Sequence, residues 1–209
     1  MDRQELLAVL RRDGIRDDHV LDALAAVPRD EFVGPEHRAA AWENHPLPIG
    51  WGQTISQPLI VAYMTELMDV RPGDKILDVG TGCGYQAAVL AQLGGDVTGI
   101  ELLPELATRA QATLDRLGYD VTVAVGDGWA GLPEVAPFDA IAVAAAAESV
   151  PVPLMEQLRP PDSEHRGGRL VVPVSDPDGG QRLVLVERTA GGWRQSELDR
   201  VRFVPLILD

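Results

Sequence analysis

The chain has 209 residues, of which 45% are hydrophobic and 24% are charged, so its composition is that of a globular protein and not of a disordered or fibrous one. This length fits one hydrophobic core, and we expect residues 1–209 to form a single domain. The 18 basic and 32 acidic residues give a formal net charge of −14, which opposes nucleic acid as a partner because its phosphate backbone is also negative.

Cysteine and histidine usage argues against two kinds of site. Cys83 is the only cysteine, so neither an intrachain disulfide nor a site with several thiolate ligands can form. The four histidines are scattered without the spacing of zinc ligands, so we predict no metal.

The sequence contains neither a signal-peptide pattern nor an apolar run of about 18 residues. We therefore expect a cytoplasmic protein without a membrane partner, and we expect it to be a monomer.

The first 45 residues predict a helical extension. Residues 5–12 place their leucines at helical spacing. A second helix is expected after Asp17, which can cap it, and this helix should end near Val27 because Pro28 disfavours helical geometry in the residue before it.

The remainder, residues 46–209, predicts the core of the domain. After an apolar helix at 59–70, short apolar runs alternate with helical stretches, which is typical of βαβ units around a parallel sheet. Strands are predicted at 75–80, 96–102, 121–127, 138–146, 169–174, 182–188 and 201–208. Helices are predicted at 85–93, 104–117 and 152–158. The turn at 175–180 is too short for a parallel crossover, so the strands beside it should be antiparallel.

These elements predict an α/β fold. We expect a doubly wound, Rossmann-like and mostly parallel sheet of about seven strands, preceded by the helical extension.

The motif LDVGTGCGYQ carries the first functional signal. It runs from a strand through Gly80, Gly82 and Gly84 into a helix, so backbone amides can approach a ligand closely at the carboxyl edge of the sheet. A dinucleotide fingerprint would need glycine where Tyr85 stands, which disfavours NAD. S-adenosylmethionine has no pyrophosphate and does not need that glycine. A tight strand-to-helix turn without a ligand is the alternative.

Two carboxylates at other strand ends favour a nucleoside ligand. Glu101 ends the second predicted strand, 21 residues after Gly80, where it can accept hydrogen bonds from both hydroxyls of a ribose. Asp127 ends the third strand in the sequence GDGW and can accept from an adenine amino group, although such an aspartate also forms turns. Because three strand ends converge on one edge, we predict that the ligand is S-adenosylmethionine.

A second motif, LPIGWGQTISQP, precedes the helix VAYMTELM. Together with GTGCGYQAAVLAQL, GDG, PFDAIAV, GGRLVVPV and VRFVPL, it resembles the protein-L-isoaspartate O-methyltransferase family over nearly the whole chain. The resemblance implies an enzyme that transfers a methyl group from S-adenosylmethionine to the free α-carboxylate of L-isoaspartyl residues. The methyl ester then closes to a succinimide, and repeated cycles restore normal aspartate, so the partners are damaged peptides and proteins.

The resemblance also assigns site residues. It gives the active-site role to Ser56, whereas the residues alone favour capping of the following helix by Thr54 and Ser56. Because the nucleophilic carboxylate is already ionised at neutral pH, no general base is required and catalysis reduces to positioning. The predicted cofactor contacts are Thr54, Ile55, Gln57, Asp78, Gly80, Gly82, Gly84, Glu101, Leu102, Asp127 and Gly128.

The chain departs from the family pattern at four places. Cys83 stands where serine is common, Asn44 where aspartate is common and Ala144 where threonine is common, and the connection at 159–169 is longer than usual.

Two other functions stay open, namely methylation of an ordinary aspartate in a dedicated peptide natural product and binding of S-adenosylmethionine without catalysis.

Overall fold

The computed structural model describes residues 1–207. Its N-terminal extension contains helices α1 (Arg3–Arg12) and α2 (Asp18–Ala26), followed by 3-10 helices at 29–32 and 35–40. Asp2 caps α1 by accepting from the backbone amide of Glu5 at 2.9 Å. Asp17 caps α2, and the helix ends directly before Val27, so both boundaries that the sequence predicted are confirmed.

A small antiparallel hairpin follows the extension and was not predicted from the sequence. It pairs β1 (Leu47–Gly50) with β2 (Gln53–Ile55). Its tip holds three consecutive residues with positive φ, including the non-glycine Trp51 at +50°. Helix α3 (Pro58–Met68) begins three residues after β2 and is close to the predicted helix.

The centre of the molecule is a seven-stranded sheet with the order β5-β4-β3-β6-β7-β8-β9. Its strands are β3 (Lys75–Val79), β4 (Asp96–Glu101), β5 (Val121–Val125), β6 (Ala140–Val143), β7 (Arg169–Ser175), β8 (Gln181–Thr189) and β9 (Gly192–Arg200). Strands β3 to β7 pair in parallel, whereas β8 and β9 are antiparallel, as the short 175–180 turn predicted for β7 and β8. The intervening helices are α4 (Tyr85–Gln92), α5 (Pro104–Leu117) and α6 (Val152–Glu156).

Helices cover both faces of the sheet, which confirms the doubly wound fold. Alternate residues of a strand point to opposite faces, and the adjacent Ile76 and Leu77 belong to two different buried clusters. The Ile76 cluster includes residues of α3, α4 and α5 and also Leu10 and Leu24 of the N-terminal extension. The Leu77 cluster includes Leu154 of α6.

The predicted strand at 201–208 is wrong for its described part, residues 201–207. The last strand is β9 instead, an edge strand whose residues are mostly polar and exposed, so it lacks the apolar pattern used for prediction. Residues after it cross the carboxyl end of β6, where the Ala146 amide donates to the Val204 carbonyl and the Leu206 amide donates to the Ala146 carbonyl, both at 2.8 Å. Leu208 lies outside the described residues.

The long connection at 159–169 ties the sheet to the end of α3. The Arg166 guanidinium pairs with the carboxylates of Asp69 and Asp74, the latter at 3.0 Å. Arg159 pairs with the buried carboxylate of Asp139 at the start of β6. The 159–169 connection is therefore linked through Arg166 to the turn that precedes β3.

The strand order creates a crevice where the chain reverses direction across the sheet. From β3 the chain first adds β4 and β5 on one side, and then returns to place β6 on the other side. Ligands of open parallel sheets bind at the carboxyl edge of such a switch point. Among residues 1–207, no helix has the length and apolar character needed to cross a membrane.

Candidate active site

The glycine turn after β3 forms the floor of a cleft at this switch point. Gly80 and Gly82 have φ values of +74° and +58°, which side chains other than glycine rarely adopt. The amides of Gly80 and Thr81 both donate to the Ile100 carbonyl, at 2.9 and 3.2 Å, and this fixes the turn against β4. We call this space the glycine-turn cleft. The predicted residues that line it are Thr54, Ile55, Ser56, Gly80, Gly82, Glu101, Leu102 and Gly128.

Gly84 serves a different contact from the other two glycines. It begins α4 with φ of +92°, and a side-chain carbon there would lie 3.1 Å from Leu114 of α5. Its absence of a side chain lets α4 and α5 pack closely, and the residue does not line the glycine-turn cleft. A cofactor contact through Gly84 stays a prediction.

Glu101 is held in one orientation at the end of β4. Its carboxylate accepts from the Gly82 amide at 2.8 Å and from the Leu103 amide at 3.0 Å, and the residue is only 7% exposed. A carboxylate offers about four acceptor positions, so acceptor capacity is left for both hydroxyls of a ribose. This geometry fits the predicted nucleoside ligand.

Asp78 has a buried carboxylate whose loss of hydration is not offset by hydrogen bonds from the described residues. It is fully buried near the end of β3, and neither carboxylate oxygen has a hydrogen-bond partner among residues 1–207. The Thr81 hydroxyl donates at 2.9 Å to the main-chain carbonyl of Asp78. Burial, together with the smaller effect of the negative charge of Glu101, raises the pKa of Asp78 to about 7. Such a group favours a positive charge nearby, and S-adenosylmethionine carries both an ammonium and a sulfonium. Asp78 does not itself line the glycine-turn cleft, so its contact with the cofactor stays a prediction.

Asp127 and Gly128 follow β5 and have different surroundings. Asp127 accepts the Trp129 amide at 2.9 Å, which is the turn geometry left open by the sequence, and it does not line the glycine-turn cleft. Its contact with adenine stays a prediction. Gly128 lines the cleft, and a side-chain carbon there would lie 2.6 Å from Val79. Only glycine therefore fits at 128 without displacing the end of β3.

The serine segment joins β2 to α3. The amino end of α3 receives no side-chain cap from Gln57, and the Asn44 amide oxygen instead accepts the Leu59 amide at 3.1 Å. Within the described chain the Ser56 hydroxyl makes no hydrogen bond to α3, so capping does not explain this residue. Asn44 therefore supplies a neutral oxygen acceptor at the amino end of α3.

Arg29 supports the serine segment from behind and was not predicted. Its side chain is 0% exposed, and it donates to the carbonyls of Ala41 and Ser56, both at 2.8 Å. The guanidinium also lies 4.9 Å from the ring centre of Tyr85, a residue of the cleft wall. Burial lowers the pKa of Arg29. The sequence VPRDEF offered no local signal for this contact, because its partners lie 12 and 27 residues away.

A second cleft adjoins the first at Ser56. Gln57, Arg200, Arg202 and Phe203 line it, and we call it the arginine cleft. The residues common to both clefts are Thr54, Ser56, Ala144 and Val204. Ser56 therefore lies at the boundary between the two clefts, and so does Ala144, whose methyl side chain offers no hydroxyl there. Gln57 lines the arginine cleft and not the glycine-turn cleft.

Residues 204–207, predicted as part of a strand, cover the glycine-turn cleft instead. The unpredicted hairpin contributes Ile49. Cys83 also lines this cleft, and burial raises the pKa of its thiol to about 11, so the thiol is neutral at physiological pH. No histidine is found among the described residues that line either cleft, and no metal-binding cluster occurs within residues 1–207.

Comparisons with known proteins point to one family. The sequence profile of the family described as Protein-L-isoaspartate(D-aspartate) O-methyltransferase (PCMT) matches residues 1–208. The chain is 51% identical to the protein-L-isoaspartate O-methyltransferase of Gloeobacter violaceus, over 94% of each chain. It is 48% identical to that of Salinibacter ruber, over 98% of this chain and 91% of the relative.

Comparison with solved structures points to the same family. The chain superposes on a protein-L-isoaspartate O-methyltransferase with a TM-score of 0.86 and 28% identity, covering 98% of this chain and 65% of that longer one. A candidate enzyme of the same name from Plasmodium falciparum, in complex with S-adenosyl-L-homocysteine, has a TM-score of 0.85 and 26% identity, with 99% of each chain covered.

Proposed function

The chain belongs to the protein-L-isoaspartate(D-aspartate) O-methyltransferase family, and on this premise we propose that it methylates the free α-carboxylate of L-isoaspartyl residues in damaged proteins and peptides, with S-adenosylmethionine as the methyl donor. The ester carbonyl carries a methoxy group, which leaves more easily than the oxygen of a carboxylate. A neighbouring backbone amide nitrogen therefore attacks that carbonyl, loses its proton and expels methanol, which closes a succinimide. Opening of the succinimide then returns part of the material to normal aspartate.

One observation carries the proposal: the two clefts meet at Ser56. The glycine-turn cleft offers the fixed Glu101 carboxylate and the glycine backbone, which fit a nucleoside. The arginine cleft offers a separate space for a peptide on the other side of Ser56. A transfer between two bound molecules requires such a boundary, because the reacting atoms must approach to about 3–3.5 Å.

The residues present suit a reaction that depends on positioning. Bound S-adenosylmethionine supplies a methyl group activated by its positively charged sulfur. The isoaspartyl carboxylate has an ordinary pKa near 4 and is ionised at neutral pH, so the site needs no general base. We propose that the Ser56 hydroxyl donates to one carboxylate oxygen and orients the other toward the methyl group. The buried Arg29 contact holds the Ser56 backbone in place.

The direct test uses two peptides that differ only in whether one residue is L-isoaspartyl or L-aspartyl. The protein is incubated with methyl-labelled S-adenosylmethionine and each peptide, and the label in base-labile methyl ester is counted. We expect label in the isoaspartyl peptide only. Label in the aspartyl peptide would support a dedicated-peptide enzyme, and S-adenosylhomocysteine binding without transfer would support a sensor. Either result contradicts repair.

Two variants separate the proposed roles of the serine and the glutamate. Ser56→Ala should lower turnover by about tenfold or more, since it removes a positioning hydrogen bond, and should leave the Kd of S-adenosylhomocysteine within about twofold. Glu101→Ala should weaken that binding about 10- to 100-fold, because hydrogen bonds to a charged group contribute about 1.5–3 kcal/mol. Calorimetry and turnover are measured on both. Full activity of Ser56→Ala would exclude the positioning role.

We also propose that the protein acts as a monomer in the cytoplasm. Few large apolar side chains are exposed in the described structure, and Trp51, Val125 and Trp193 belong to three different segments of the chain, which favours a monomer. The buried free thiol of Cys83 suits a reducing compartment. Light scattering at several protein concentrations tests the first point, and localisation of a tagged chain tests the second.

A further inference from the structure

Arg200 and Arg202 differ from the other arginines of the described structure in the contacts that their side chains make. Among residues 1–207, every arginine except Arg200 and Arg202 makes an ion pair, a side-chain hydrogen bond or a stacking contact on an aromatic ring. Acidic residues outnumber basic ones by 32 to 18 in this chain, so carboxylate partners are abundant. The side chains of Arg200 and Arg202 are nevertheless exposed and pair with no carboxylate of residues 1–207.

Local geometry explains why Arg200 has no partner among residues 1–207. Strands β8 and β9 place Arg182 directly opposite Arg200. Arg182 already forms ion pairs with the nearby carboxylates of Asp176 and Glu197, at 3.4 and 3.9 Å. Like charges directly opposite on antiparallel strands destabilise the sheet, so folding gives no reason for a second arginine there.

Both arginines line the same cleft as Ser56. Arg200 ends β9, Arg202 follows two residues later, and Phe203 supplies an apolar surface beside them. The cleft thus combines the proposed catalytic serine with two guanidinium groups that have no internal counter-charge. Guanidinium groups bind carboxylates through paired, charge-assisted hydrogen bonds.

We propose that Arg200 and Arg202 bind acidic side chains that flank the isoaspartyl residue, and that this enzyme therefore prefers acidic segments of its substrates. The inference rests on the proposed function, since it places the peptide in the arginine cleft. It also runs against the overall charge, because a net charge of −14 attracts basic peptides at long range. The local arginines and the whole-molecule field therefore predict opposite preferences.

The experiment uses three peptides with one central isoaspartyl residue and two flanking positions on each side filled by Glu, Gln or Lys. Binding of fluorescent peptides to the protein loaded with S-adenosylhomocysteine is measured by anisotropy near physiological salt, and kcat and KM are measured in parallel. We expect the Glu peptide to bind about three- to tenfold more tightly than the Gln peptide, as two partly exposed ion pairs would give, and the Lys peptide to bind most weakly.

Charge reversal assigns the preference to these two residues. Arg200→Glu and Arg202→Glu should each remove or invert the ranking in KM and Kd, while S-adenosylhomocysteine affinity shows that the fold is intact. The matched control is Arg194→Glu, an identical charge change on β9 outside the arginine cleft, and it should keep the ranking.

A preference for the Lys peptide in the unmodified protein would overturn the inference, as would a Glu preference that survives both reversals. Absence of methyl transfer to every peptide would instead defeat the proposed function. The anisotropy ranking would still decide whether the arginines select acidic segments.

Discussion

Asp78 is the residue whose charge most strongly couples the fold to the site. Its pKa is raised by burial to about 7 from an ordinary value of 3.8, so the folded protein holds a proton that the unfolded chain releases. The free energy of unfolding therefore contains a contribution that is present at acidic pH and is lost as pH rises from about 4 through about 7. A positively charged ligand near Asp78 reverses this cost by favouring the ionised carboxylate.

Replacing Asp78 by asparagine should remove this pH dependence. We expect Asp78→Asn to be more stable than the unmodified protein at pH 8, by on the order of 2–4 kcal/mol, and similar to it at about pH 3.5, below the pKa of the unfolded chain. The same variant should bind S-adenosylhomocysteine more weakly at pH 8, because the carboxylate that favours its ammonium is gone. Denaturant unfolding and calorimetry at both pH values measure these effects.

The control for this substitution is Asp96→Asn, in an exposed residue at the start of the neighbouring strand β4. It should change neither the pH profile nor ligand affinity. If Asp78→Asn lost stability at pH 8, the buried carboxylate would have an interaction that offsets its desolvation.

At the scale of elements, the N-terminal extension and the serine segment are joined by one side chain. Arg29 lies at the start of the first 3-10 helix and donates to the Ser56 carbonyl between β2 and α3. It is buried without a carboxylate contact and its pKa is lowered by that burial. Two main-chain carbonyls take the place of a counter-ion, which makes the position of the serine segment dependent on the extension.

Replacement of Arg29 should therefore impair turnover more than cofactor binding. Arg29→Met leaves the carbonyls of Ala41 and Ser56 without their donor, and each buried unsatisfied group costs about 1–3 kcal/mol. We expect kcat to fall about tenfold or more at temperatures well below unfolding, with little change in the Kd of S-adenosylhomocysteine. Arg29→Lys, with one compact donor group, should recover part of kcat.

The matched control is Arg16→Met, which also removes a guanidinium that donates to a carbonyl in the extension but is exposed. It should leave kcat unchanged. A lower melting temperature for Arg29→Met with normal kcat would show that Arg29 only stabilises the fold and does not position Ser56.

At the scale of the whole molecule, the extension and the sheet share one core. Leu10 and Leu24 of the extension pack in the same buried cluster as Ile76 of β3 and Val171 of β7. We therefore propose that the chain is a single cooperative domain, in which ligand binding at the switch point stabilises the extension as well as the sheet.

Calorimetric unfolding tests this proposal. One transition is expected, and S-adenosylhomocysteine at about 100 times its Kd should stabilise the protein by about 2.7 kcal/mol, which raises Tm by about 5–10 °C for a chain of this size. Two transitions, with only one shifted by the ligand, would show that the extension unfolds separately.

Local signals in the sequence were enough to predict most of the fold. The glycine spacing at 80–84, the apolar runs of β3 to β8 and the short 175–180 turn are each read within a few residues, and the structure confirms the parallel sheet and its antiparallel additions. The same local motifs carry the resemblance to the family that the comparisons establish. Strand β9 and the β1–β2 hairpin were missed because polar edge strands and three-residue strands have no comparable apolar period.

The way in which these parts form a site depends on contacts between distant segments. The Arg29 contact with Ser56, the passage of residues 201–207 across β6 and the meeting of two clefts at Ser56 each join segments that are distant in sequence. The local sequence specifies which chemical groups the strand ends offer, because the glycines and carboxylates stand within short motifs. Which side chains face the substrate depends on packing between distant elements, and no local pattern records that packing.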